Sequence, residues 1–108
     1  MDKNRITLQE VANDGQSIYL YYDDMIGLYV AYGLSAYYTT MVVDAFTSYS
    51  DEMQMPVVLL KREHILFLRQ SLTKVEHTPG KYYHFRIKAQ IGEAGYQRWL
   101  CKVLGTKK

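Results

Sequence analysis

Residues 17–43 read SIYLYYDDMIGLYVAYGLSAYYTTMVV, and the fold turns on how this stretch divides. Ile18, Leu20 and Tyr22 alternate with Tyr19, Tyr21 and Asp23, the period of two that marks a strand with two differently furnished faces. Asp23-Asp24 interrupts the apolar run, since short acidic side chains hydrogen-bond their own backbone in turns. A second run from Met25 to Tyr32, rich in residues that suit a pleated surface, returns antiparallel beside the first. Gly33 closes it. Beyond the glycine, Ser35 is placed to act as a helix N-cap, and Tyr37, Tyr38, Met41 and Val42 recur at the spacing of a buried helical stripe.

Outward from this stretch the elements continue. On the N-terminal side, residues 1 to 16 read as a loosely tied lead-in, with Ile6 to Val11 either a short edge strand or one helical turn, closed by the turn signal Asn13-Asp14-Gly15. On the C-terminal side, Asp44 ends the helix and Ala45 to Tyr49 is a strand with Phe46 and Thr47 on opposite faces. Met55 to Leu60, MPVVLL, has the near-continuous apolarity of a strand buried on both faces, with Pro56 at its start or at a sheet edge. Ile65, Leu68 and Leu72, broadened by Leu66 and Phe67, predict a helix from Arg62 to Leu72, with Arg62, Arg69 and Gln70 toward water. Residues 73 to 80 carry the turn Pro79-Gly80. Lys81 to Lys88, KYYHFRIK, alternates: Tyr83, Phe85 and Ile87 point one way, and Tyr82, His84, Arg86 and Lys88 the other. A last amphipathic helix spans Glu93 to Leu104, with Gly105 where a left-handed C-terminal residue fits. The expectation is one α/β domain over residues 1–108, a mixed sheet of about five strands with three helices.

Of 108 residues, 48% are hydrophobic, enough for one core and too few for two. No run approaches the length of a membrane span, and MDKNRITLQE is polar where a signal peptide is apolar, so a cytoplasmic location is expected. The net charge of +2 conceals an asymmetry: residues 1–60 hold eight acidic against two basic side chains, and residues 61–108 three against eleven. Gathered on one face, the basic residues would attract a polyanion or the acidic half of a second copy; spread out, they are a solvated surface. Eleven tyrosines suit core edges, interfaces and base-stacking surfaces alike.

Catalytic patterns are sparse. His64, His77 and His84 lack zinc spacing, and Cys101 has no CxxC partner. Asp23 and Asp24, with Asp44 or Glu63, would suit a hard divalent cation, but a turn explains them with less. Neither phosphate-loop glycine pattern is present. A non-enzymatic domain without cofactor or metal is therefore expected. The strand KYYHFRIK carries the binding signal: Tyr82, His84, Arg86 and Lys88 offer cations and rings at alternate positions, as phosphate neutralisation and base stacking require. Lys74, and Arg98 with Lys102 one turn apart on the last helix, would flank it. DNA or RNA is the expected partner; the alternative is a protein-interaction domain or a homodimer.

Several of these residues resemble the N-terminal, mismatch-recognition domain of the MutS repair proteins. LYYDDMIGLYVAYGLSA (20–36) is similar to that domain's first part, with Tyr29 and Tyr32-Gly33 leading to Ala36. MPVVLLKREHILFLRQSL (55–72) is similar to its second, with Met55-Pro56 before the strand and Phe67-Leu68-Arg69 in the helix. The resemblance implies that family's fold and a DNA partner. The family's stacking phenylalanine and its glutamate fall here on Leu28 and Val30, and Tyr29, one residue on, is the ring that resemblance offers for stacking.

Overall fold

The computed structural model of the chain describes residues 3–13, 15–78, 81–87 and 93–106. Ten elements follow in order: α1 (Lys3–Val11), β1 (Ser17–Asp23), β2 (Leu28–Tyr32), α2 (Gly33–Val42), β3 (Phe46–Ser50), β4 (Met55–Leu60), α3 (Arg62–Ser71), β5 (Thr73–Thr78), β6 (Tyr82–Arg86) and α4 (Glu93–Thr106). The strands form one six-stranded sheet in the order β3-β4-β2-β1-β6-β5, every neighbouring pair antiparallel. The expectation of a mixed sheet of about five strands with three helices is thus corrected to six antiparallel strands and four helices. Helices between strands suggested parallel pairs, which need a crossover between neighbours. Here α2 carries the chain from β2 past the place of β4 to the edge strand β3, and α3 carries it from β4 to the opposite edge, so neither helix joins adjacent strands.

Two elements escaped the pattern. β5, TKVEHT, has one apolar residue, and a register shift between Lys74 and Glu76 breaks its alternation. It is an edge strand protected by charge and a bulge, which hides it from a search for apolar periodicity. α1 lies in the stretch read as lead-in and runs nine residues rather than one turn. Its Ile6 is 1% exposed, packed among Tyr21, Val30, Tyr32 and Tyr82 on one face of the sheet. On the opposite face α2, α3 and α4 cover the larger core, built on Ile18, Leu20, Ala31, Val58, Leu60, Tyr83 and Phe85. Because one short helix covers the first of these faces, Met55, Val57 and Leu59 stay half-buried while Pro56, Val58 and Leu60 are buried. MPVVLL is therefore shielded fully on one side only. No helix among the described residues is long and apolar enough to cross a membrane.

Other boundaries move for local reasons. The β1–β2 turn occupies 24–27, closed by Gly27 N–H donating to the Asp23 carbonyl at 2.8 Å, with Gly27 at φ +68°. α2 begins at Gly33, so Ser35 lies inside the helix and is not its cap. Met41 is 56% exposed, and Leu66 and Phe67 are also exposed, so the buried stripes are narrower than their apolar residues suggested. Gly105 lies within α4 and is not left-handed. Pro79-Gly80 falls outside the described residues.

The cap that Ser35 does not supply comes from α1. The Glu10 carboxylate accepts the Ser35 backbone N–H at 3.0 Å and the Ser35 hydroxyl at 2.6 Å, and Ser35 Oγ in turn accepts the Tyr19 N–H at 2.9 Å. Burial dominates over these hydrogen bonds and raises the Glu10 carboxyl from its usual range to about 7. A raised carboxylate favours the folded state below its unfolded pKa, and that contribution is lost as pH rises through 7. In urea unfolding between pH 5 and pH 8, the wild type should lose about 2–3 kcal/mol relative to Glu10→Gln. Parallel stability curves for the two proteins would show that Glu10 does not carry this dependence.

Candidate functional site

The pleat of the sheet assembles one row of side chains on the helix-covered face. Leu60 of β4 pairs with Tyr29 of β2, and Tyr29 pairs with Tyr22 of β1, so the three project side by side. Tyr83 of β6 pairs with Leu20, one same-face step from Tyr22, and joins the row diagonally. The Tyr22 and Tyr29 rings meet edge-to-face at 5.2 Å and 64°, and Tyr29 and Tyr83 at 5.2 Å and 62°. These are the arrangements that ring quadrupoles favour. They leave the rings as angled walls.

Over this row lies α3. Arg62, Ile65, Leu66 and Arg69 recur three and four residues apart and share one helical stripe, which with Gly27, Leu28 and the row encloses a pocket of about 240 Å³. Seven residues of helix separate the two arginines by about 10 Å along its axis. Both are exposed, as the periodicity of α3 leads one to expect, and no hydrogen bond or ion pair joins either to another described residue. Beside Tyr83, the His77 ring of β5 stacks at 4.0 Å and 7°. Desolvation, then the charges of Lys74 and Arg69, hold this imidazole below its usual pKa. A ring-walled pocket thus runs along α3 from Arg62 to Arg69, with Lys74 and His77 on the edge strand β5 beside Tyr83.

The residues chosen from the sequence do not converge. Tyr29 and Lys74 belong to this side of the sheet: Tyr29 lines the pocket, and Lys74 lies on the edge strand opposite Phe85. Tyr82, His84 and Arg86 share the other face, as the alternation of β6 requires, and the chain uses them internally. Tyr82 is buried beneath α1: its hydroxyl accepts the Gln9 amide at 3.2 Å, and the Arg5 guanidinium lies 5.7 Å from its ring centre. Burial first, then the neighbouring Tyr19, pushes this phenol up to about 12, which keeps it protonated. His84 stacks on Tyr19 at 4.5 Å and sits 3.0 Å from the Ser17 hydroxyl. Arg86 is exposed, with Gln16 at 3.4 Å. Arg98 and Lys102 are exposed on α4, which packs on α2 and β3 at the sheet edge farthest from β5. Lys88 lies outside the described residues.

Tyr22, Tyr83, Arg62, Arg69 and His77 were not singled out. The seven-residue spacing of the arginines was visible on α3, but nothing local placed that stripe over the tyrosines. Asp23 serves its turn, accepting the Met25 N–H at 2.9 Å. Cys101 is exposed on α4, and among the described residues no three His, Cys, Asp or Glu side chains gather as metal ligands would. No family model, curated protein or solved structure matches this chain.

Proposed function

We propose that this domain is a non-enzymatic binder of single-stranded nucleic acid, DNA or RNA. One observation carries the reading: a pocket walled by Tyr22, Tyr29 and Tyr83 opens between Arg62 and Arg69, which have no ion-pair partner among the described residues. Guanidinium groups suit phosphate through their fixed fork of donors, and tyrosine rings give every base a stacking surface. Lys74 adds positive charge along the flank, and the balance of +8 in residues 61–108 draws a polyanion toward this half. The resemblance to a mismatch-recognition domain supports the same partner class through different residues, since Leu28 contributes only an apolar wall and Tyr29 a ring. Relative to the strand face of β6, the site moves to the opposite side of the sheet.

Arg62→Ala and Arg69→Ala remove exposed side chains and leave the core intact. In fluorescence anisotropy with a labelled single strand, each should weaken binding, and each should lower the slope of log K against log salt by about 0.7. Unchanged slopes in both variants would place the contact elsewhere.

A second reading, self-association, rests on the other face. Tyr82, Tyr21, Val30, Leu59 and Phe46 stand in register across five strands. α1 covers the first three, while Phe46 is 66% exposed at the end of the row. On this reading, sedimentation shows a dimer that Phe46→Ser weakens; a monomer at every accessible concentration removes it.

A further inference from the structure

Resting on the nucleic-acid reading, we infer that the pocket admits one unstacked base, and that Arg62 and Arg69 hold the phosphates on its two sides. The site is therefore a single-nucleotide socket and not an extended stacking platform. Three features of its construction support this. Its volume of about 240 Å³ falls below the ~300 Å³ at which pockets begin to take drug-sized ligands, which leaves room for one ring system. Its walls are angled at 64° and 62°, so bases cannot lie along the row on coplanar tyrosines as they would on a flat stacking face. The His77 ring already stacks on Tyr83 at 4.0 Å, so the open ring surface lies toward Tyr22 and Tyr29, between the arginines.

The spacing of the cations agrees. Arg62 and Arg69 are set about 10 Å apart along the α3 axis and both line the pocket, so their long side chains can reach toward a strand passing over it. A base held in a duplex cannot enter without leaving its stack, at a cost of roughly a few kcal/mol. The socket thus prefers a single strand, a loop or an unpaired base over a continuous duplex.

The test varies the ligand and keeps the 108-residue chain unchanged. Three labelled ten-nucleotide strands are compared by anisotropy at low salt: one with thymine throughout, one abasic throughout, and one abasic except for a single central thymine. The expected result is a loss of about tenfold or more for the fully abasic strand, with most of that loss recovered by the single base. Equal binding of the fully abasic strand overturns the socket while leaving a backbone-binding protein. A single-base strand that binds no better than the fully abasic one, with only the all-thymine strand binding tightly, overturns it in favour of an extended platform. Failure of all three strands to bind overturns the nucleic-acid reading itself. A protein-side check uses Tyr29→Leu, which keeps an apolar side chain in the row: it should weaken the single-base strand by several-fold and leave the abasic strand unchanged. An equal effect on both strands counts against the socket.

Discussion

The Glu10 carboxylate is the contact on which the arrangement of layers depends. It comes from the helix on one face of the sheet and reaches the N-terminus of a helix on the other, where it accepts the Ser35 N–H and hydroxyl. The first turn of any helix has backbone donors without intrahelical partners, and a side-chain acceptor there contributes about 1 kcal/mol. α2 has no cap of its own, because Tyr32 stands at the capping position with no side-chain hydrogen bond. Ser35 then uses its remaining capacity to accept the Tyr19 N–H of the neighbouring strand, a donor that β2 would have met had it stayed extended. The glycine that bends the chain out of the sheet is needed for the same junction. Gly33 sits at φ +59°, and a Cβ there would lie 3.3 Å from Met55 Sδ and 3.5 Å from Glu10 Cβ.

With α2 fixed in that way, the sheet divides its tyrosines between two uses. On the face covered by α1, Tyr21 and Tyr82 are sealed, and the Gln9 amide serves both hydroxyls: Tyr21 donates to its carbonyl and its NH₂ donates to Tyr82. On the other face α2 and α4 cover one part of the sheet while α3 rests on β4. The row of Tyr22, Tyr29 and Tyr83 lies partly beneath α3: Tyr83 is buried, and the half-buried Tyr22 and Tyr29 give the pocket its more open ring surface. Tyrosine serves both settings because a large apolar ring carries a hydroxyl that satisfies itself at a wet edge or with a buried amide.

The same residues could be read in the chain only as far as local patterns reach. The alternation of β1 and β6 put Ile18, Leu20, Tyr83 and Phe85 on one face and Tyr21 and Tyr82 on the other, as the structure has them, and the helical spacing found α3 and α4. β5 was missed because an edge strand with a bulge and charges lacks the apolar period. α1 was underestimated because its apolar residues are split, with Ile6 inward and Leu8 and Val11 exposed. For the site, charge and tyrosine content indicated a basic, ring-rich surface, and on the β6 face read from the alternation Tyr82 is packed beneath α1 while His84 stacks on Tyr19.

By itself the sequence determined the strand and helix periods, the turn after Asp23, and the concentration of positive charge after residue 60, because these depend on residues near one another in the chain. Only the tertiary structure decided that all six strands run antiparallel, that Glu10 caps a helix 25 residues away, and which tyrosines meet which arginines. Those outcomes depend on strand order and on which face each helix covers, and neither is encoded in any local spacing. They follow from how six strands and four helices together bury two unequal faces, and the unequal cover is what leaves one ring-walled pocket open between two arginines.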